Sequence, residues 1–263
     1  MPTFIALAES NVLGNMQAET FSGTFSGKSS GSGTGNTKEA AEAAALNASN
    51  KNLFAEILKK LSELLDETKL ASKVIQNFID NNVKAKVKVY KLLKLKAIAS
   101  STDGVNYILN KGARIKEEQY VTIEKGQTLV GPPGIPFTND GYLQIDGHFY
   151  MGGSSPTSPT SPKALKTAVT TPYENNGIFT FNGGSYIDTS ILFKNNYAAF
   201  VNSDLYIYGT LQCGVDSLFD TSYYTSATYI KKGGTFSCIR PCSIVTGRNL
   251  FNNEGGTYSC PPF

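Results

Sequence analysis

Tryptophan is absent from the 263 residues, and histidine occurs once, at His148. A single imidazole excludes any mechanism that needs two, including a zinc site with two histidine ligands. Charged residues make up only 17% of the chain against 40% hydrophobic, so this is not a charge-rich disordered polymer. The net charge of +3 is too small to draw the whole chain toward nucleic acid. No stretch approaches the ~18 unbroken apolar residues of a membrane-spanning helix. Residues 1–8 lack a basic start and their apolar character stops at Glu9, so no signal peptide is expected. Walker loop, dinucleotide fingerprint and nucleophile elbow are all missing. The composition therefore points to architecture and assembly, with no enzyme activity and no cofactor expected. The length allows one large or two small domains.

Glycine and aromatic residues are plentiful but unevenly spread. Residues 1–37 open with a short apolar piece, pass through a repeated F-S-G-x at Phe21 and Phe25, and end in a Ser/Gly/Thr tract. So little apolar surface cannot fold alone. This part reads as a flexible arm, with Phe21 and Phe25 as anchors if it orders on a partner.

Residues 38–82 read as an amphipathic helix. Thr37, ahead of Glu39 and an alanine-rich stretch, suits its start. Phe54, Ile57, Leu61, Leu64, Thr68, Ala71, Ile75 and Phe78 then recur in alternating steps of three and four, an a/d heptad seam that Leu58, Leu65 and Ile79 widen. Two readings stand: the helix packs on its own domain, or it bundles with other copies into a homo-oligomer such as a trimer. Asn81-Asn82 ends it.

In the β region of residues 83–153, Val83, Ala85, Val87 and Val89 alternate with Lys84, Lys86 and Lys88, the period of a half-buried strand. Lys91, Lys94 and Lys96 continue the charge. The strip either guards a sheet edge or meets an acidic partner surface or polyanion. Tyr90 is the lone interleaved aromatic, so nucleic acid is not the expected partner. Four short strands follow. Residues 154–173 carry Pro156, Pro159 and Pro162 at every third position and read as an exposed linker.

The most specific signal is a repeat. Gly209-Thr210-Leu211-Gln212-Cys213, Gly234-Thr235-Phe236-Ser237-Cys238 and Gly256-Thr257-Tyr258-Ser259-Cys260 share one G-T-apolar-polar-C pattern, spaced 25 and 22 residues apart. Gly184 opens a looser copy upstream that ends in Asp188. Leu192-Phe193, Leu218-Phe219 and Leu250-Phe251 form a second recurring element. Units of this length cannot bury a core alone, but stacking them makes continuous internal columns. Each leading glycine suits a corner with positive φ or a close backbone approach. Asn176-Gly177, Asn182-Gly183 and Asn195-Asn196 suit left-handed turn positions. The expected fold is mainly β with one α segment: an arm, a heptad helix and a short C-terminal β-solenoid over residues 174–263. An antiparallel β-sandwich is the alternative.

Cys213, Cys238 and Cys260 share one repeat position. They either stack as small hydrophobes or bridge adjacent coils, while Cys238 and Cys242 could close locally. Four-cysteine zinc sites need two close pairs, and only Cys238 with Cys242 is close, so no metal is expected. Asp188, Asp204, Asp216 and Asp220 are the acids available for paired-carboxylate chemistry, which requires a separation of about 5–9.5 Å. Solvated turns are the expected role of Asp204 and Asp220.

The Asn/Gly-punctuated coils, Asn175-Asn176-Gly177-Ile178-Phe179 and Phe251-Asn252-Asn253-Glu254-Gly255-Gly256-Thr257-Tyr258, resemble the degenerate N-N-G-apolar repeats of virion structural proteins of large DNA viruses and tailed phages. The resemblance covers residues 174–263 and also extends to bacterial surface proteins. It implies a minor capsid, vertex or fibre component of a virion, often trimeric, that binds itself and neighbouring shell proteins. A glycan-binding or glycan-cleaving adhesin or tailspike is the alternative. The two separate on whether aromatics such as Tyr206 and Tyr208 point outward in a row or fill the interior.

Overall fold

The computed structural model describes residues 2–18, 21–62, 68–152, 170–221, 227–239, 242–245 and 251–260. The chain divides into two units, Met1–Leu92 and Leu93–Phe263.

In the first unit, β1 (Phe4–Ala18) and β2 (Phe21–Gly35) form a long antiparallel hairpin. α1 (Lys38–Ser62), α2 (Thr68–Asn82) and β3 (Val83–Leu93) follow. β3 pairs antiparallel with the other side of β1, giving the order β2-β1-β3. The expected flexible arm over residues 1–37 is thus corrected to a β-hairpin. The physical reason is that Gly27, Gly31, Gly33 and Gly35 fall on one face of β2 and let α1 lie directly on it. A Cβ at Gly31, Gly33 or Gly35 would overlap backbone atoms of Ser49, Ala45 or Ala41. Those three residues, with Leu53 and Ile57, form a fully buried stripe at every fourth position of α1. Toward Ser62 the stripe turns from small to large, and Leu53 and Ile57 join Ile75, Phe78 and Ile79 of α2 on Val12 and Met16 of β1.

The single helix expected over residues 38–82 is two helices. Thr37 Oγ1 accepts the Ala40 N–H at 3.1 Å and caps α1 as expected. Ile57, Ile75 and Phe78 of the heptad seam are buried inside this chain, and Phe54 packs on the same cluster. The described part of the seam therefore packs within its own domain. Leu64 and Leu65 lie outside the described residues. So do the side chains of Leu61, Ala71, Phe21 and Phe25, whose backbones belong to α1, α2 and β2.

The second unit is a parallel β-solenoid of about six turns. A 3-10 turn at Leu95–Ala97 and β4 (Ala99–Ser100) precede β5 (Asn106–Leu109), with which β4 pairs antiparallel. Strands then come in threes: β6 (Arg114–Ile115), β7 (Gln119–Ile123) and β8 (Thr128–Gly131); β9 (Phe137–Asn139), β10 (Tyr142–Ile145) and β11 (His148–Met151); β12 (Thr171–Asn175), β13 (Ile178–Phe181) and β14 (Ser185–Ile187). β15 (Ile191–Asn195), β16 (Ala198–Val201) and β17 (Leu205–Ile207) come next, then β18 (Thr210–Cys213), β19 (Leu218–Asp220) and β20 (Thr228–Lys231). β21 (Thr235–Cys238), β22 (Ser243–Val245), β23 (Phe251–Glu254) and β24 (Thr257–Ser259) complete the series. Every third strand stacks on its predecessor, which makes three sheets: β6 to β24, β7 to β22, and β5 to β23.

Each short strand sends alternate side chains inward, where they form columns. One column runs Phe137, Tyr173, Phe193, Leu211 and Phe236; all five are at most 1% exposed. The solenoid starts well before residue 174, because the earlier coils share this core. Sequence separations show why that start was obscure. Asn175 and Asn195 are stacked one coil apart at 20 residues, whereas Asn139 and Asn175, also one coil apart, are separated by 36. The difference falls between β11 and β12, where the proline-rich residues 153–169 lie outside the described set. The expected linker between two β parts is therefore an insertion within one coil, and Thr171, Pro172 and Tyr173 of its assigned span belong to β12.

The same variation corrects the repeat. Gly209, Gly234 and Gly256 precede stacked strands of the β6 sheet, whereas Gly184 precedes β14 of the β5 sheet. Leu192-Phe193, Leu218-Phe219 and Phe251 likewise sit on three different sheets. At Gly209 and Gly234 a Cβ would overlap the carbonyl oxygens of Asp188 and Ile207 one coil below; Gly184 has ordinary room. Among described non-glycine residues only Asp216 has a positive φ, of 58°, so the asparagines are not left-handed turn residues. They form ladders. Asn139 donates to Asn175 at 2.9 Å, Asn175 to Asn195 at 2.8 Å, and Asn195 to the Leu218 carbonyl at 2.9 Å, all in the interior. Two exposed ladders start from carboxylates: Asn196 to Asn176 to Asp140, and Asn202 to Asn182 to Asp146. A carboxylate only accepts, so it fixes the direction of each row.

Candidate functional site

The helix-free face of the β2-β1-β3 sheet carries the most concentrated charge. Val83, Val87 and Val89 turn toward the helices, so Lys84, Lys86 and Lys88 leave the other side at intervals of about 6.6 Å, each exposed. Register extends the face across all three strands. Lys28, Asn11 and Lys84 form one row; Ser30, Glu9 and Lys86 the next; Ser32, Leu7 and Lys88 the third. Lys28 was missed in the sequence because it is an isolated charge in a Ser/Gly tract, and only strand pairing brings it into one row with Lys84, across Asn11. Glu9 is the one acid in these rows, 3.9 Å from Lys28 with both side chains largely exposed. A pair so hydrated is worth little and leaves the face basic.

The structure divides the rest of the strip. Lys91 pairs with Phe4 at the opposite parity of β3, and Lys94 and Lys96 belong to the second unit, at the 3-10 turn. Tyr90 is buried beneath Lys88, whose Nζ lies 5.4 Å from its ring centroid. No aromatic ring of this strand is thus offered for base stacking, and the lysines can read charge alone.

A second surface lies on the outer side of the β5 sheet. Tyr150, Tyr186, Tyr206 and Tyr229 stack along the solenoid with centroids 4.8, 4.8 and 4.9 Å apart and ring planes within 10° of parallel. They point outward while Phe149, Ile187, Leu205 and Ile230 point in. Lys231 sits over Tyr206 and Tyr229 at 5.3 and 5.0 Å and pairs with Glu254 at 2.5 Å. Burial, then the Asp204 carboxylate that accepts its hydroxyl, push Tyr206 up to about 12. The single histidine, His148, meets the Gly184 carbonyl at 2.9 Å.

The cysteines meet at one corner. Cys213 and Cys238 are in register, and Cys238 is bonded to Cys260 one coil further on. Cys213 and Cys242 are free thiols. Burial pushes Cys213 up to about 12, and Cys242 nearby adds to the rise. Among the described residues no group of three or more His, Cys, Asp or Glu is placed to hold a metal ion. Asp204 caps the Ala227 N–H at 3.2 Å and Asp188 accepts from Thr189 at 2.9 Å, local turn roles.

The fold places this chain in the class of parallel β-solenoid proteins with an α/β unit ahead of the coils. No protein-family model, curated protein or solved structure matches it. Among the described residues no helix is long and apolar enough to cross a membrane.

Proposed function

We propose that the chain is a non-enzymatic structural component of a virion, of the minor capsid, vertex or fibre type, and that it docks on a neighbouring shell protein. The observation that supports this reading is the lysine-bearing sheet face. Four lysines and one glutamate share this face, on a sheet backed by two helices. Two copies would repel through such a face, so its partner is an acidic protein surface rather than a second copy. Deleting residues 38–82 would remove the first unit's core, so the informative variant is Lys84→Glu/Lys86→Glu/Lys88→Glu. It should abolish incorporation into particles while the fold, read by circular dichroism, is retained; unchanged incorporation would contradict the reading.

A second reading has its own support: a glycan-binding adhesin, favoured by the outward row of Tyr150, Tyr186, Tyr206 and Tyr229. Stacking on one another covers much of each ring face, which leaves edges and hydroxyls toward a ligand. Binding of the purified chain to a panel of oligosaccharides, lost in Tyr186→Ala/Tyr206→Ala and kept in the triple lysine variant, would move the assignment here.

A further inference from the structure

We propose that Cys213 is a second partner for Cys238, so that the cysteine ladder holds one disulfide but offers two places for it, one coil apart. In the bridge that is present, Cys238 at the end of β21 and Cys260, directly after β24, stand with Cα atoms 4.8 Å apart. Cys213 occupies the same register on the strand below Cys238, and adjacent strands lie about 4.8 Å apart, within the Cα range of about 4.4–6.8 Å that disulfides span. In a parallel in-register ladder, equivalent side chains leave their strands in the same direction, so Cys238 has a cysteine at matching distance on either side. All three pack on one hydrophobic cluster.

The exchange is balanced without an oxidant. The Cys213 thiol loses its proton to solvent, and its sulfur forms the Cys213–Cys238 bond. The Cys238–Cys260 bond breaks, its electron pair leaves on Cys260, and that sulfur takes up a proton. Burial keeps Cys213 protonated at neutral pH and slow as a nucleophile. The outer bridge therefore stands until a small thiol opens it. That thiol attacks the Cys238 sulfur and forms a mixed disulfide there, with Cys260 leaving as a thiol. Cys213 then attacks Cys238, closes the inner bridge and releases the small thiol, so that Cys260, on the last described coil and only partly buried, is left as a free thiol. It can exchange with oxidised glutathione, taking one glutathione and releasing the other as a thiol, or with a disulfide of another molecule in the same way. The ladder would so convert an internal staple into a covalent attachment point without unfastening the coil that carries Cys238.

The test uses the full-length protein in a buffer of reduced and oxidised glutathione, quenched by alkylation and mapped by mass spectrometry of its peptides. The expected result is two bridged species, Cys238–Cys260 and Cys213–Cys238, with Cys260 glutathionylated in the second. Cys213→Ala should lose the second species together with the glutathione on Cys260, and Cys260→Ser should yield the inner bridge. Finding only the outer bridge and fully open thiols in the wild type would overturn the proposal. So would a Cys238–Cys242 bridge in place of the inner one. The wild-type map decides even if a variant fails to fold.

Discussion

Gly33 of β2 faces Ala45 of α1 so closely that a Cβ on the glycine would overlap the Ala45 backbone nitrogen. The helix backbone has no rotamer with which to retreat. Gly33→Ala is therefore expected to destabilise the first unit by about 1–3 kcal/mol, the range of overpacked cores. Ser32→Ala, on the exposed side of the same strand, should stay within about 0.5 kcal/mol. Urea unfolding followed by helical circular dichroism measures both.

That contact also shows what was legible in the sequence. The lysine strand announced itself because Val and Lys differ sharply in polarity. The Gly/Ser tract has the same period of two, but glycine opposite serine carries almost no hydropathy contrast. The readable signal lay in a second place, at Ala41, Ala45 and Ser49, small residues at every fourth helical position that require a flat partner. The last coils were visible because Gly209, Gly234 and Gly256 keep one position on one sheet. Earlier coils were obscured by an insertion within a coil, and matching by spacing alone put Gly184 on the wrong sheet. Strand pairing, which no local pattern encodes, joined Lys28 to Lys84 and lined up the tyrosines.

The buried amide ladder gives a second prediction. Asn175 accepts from Asn139 and donates to both the Asn195 side chain and the Ala198 carbonyl. Asn175→Ala strands these partners inside the solenoid, at about 1–3 kcal/mol for each buried group left unpaired. Asn176→Ala breaks an exposed row whose partners turn to water, and should cost far less. Thermal unfolding of the two variants side by side is the comparison.

Asp140 sets a dependence on pH. Burial by itself would raise its carboxyl, but the Asn176 amide and the Arg114 guanidinium, 2.5 Å away, hold it below the ordinary carboxylate range. Because the folded value is the lower one, its contribution is complete above the unfolded value of about 4 and is lost as pH falls through the folded value. Wild type should therefore lose stability more steeply than Asp140→Asn as pH drops below about 4. Parallel curves across that window would dismiss the effect.

Reducing the Cys238–Cys260 bridge, which closes 22 residues, should cost about 3 kcal/mol on the loop-entropy account. The loss should be local. Amide exchange is expected to quicken in β21 and β24 and to stay unchanged in β10 and β13.

The most direct test of the account is binding of the purified full-length chain to acidic shell-protein partners across a salt series. The wild type, the Lys84→Glu/Lys86→Glu/Lys88→Glu variant and Tyr186→Ala/Tyr206→Ala would be measured together. The account predicts wild-type binding that weakens with added salt, is lost in the lysine variant and survives in the tyrosine variant. Binding that ignores salt and the lysines, or that fails only when the tyrosines are removed, would contradict it.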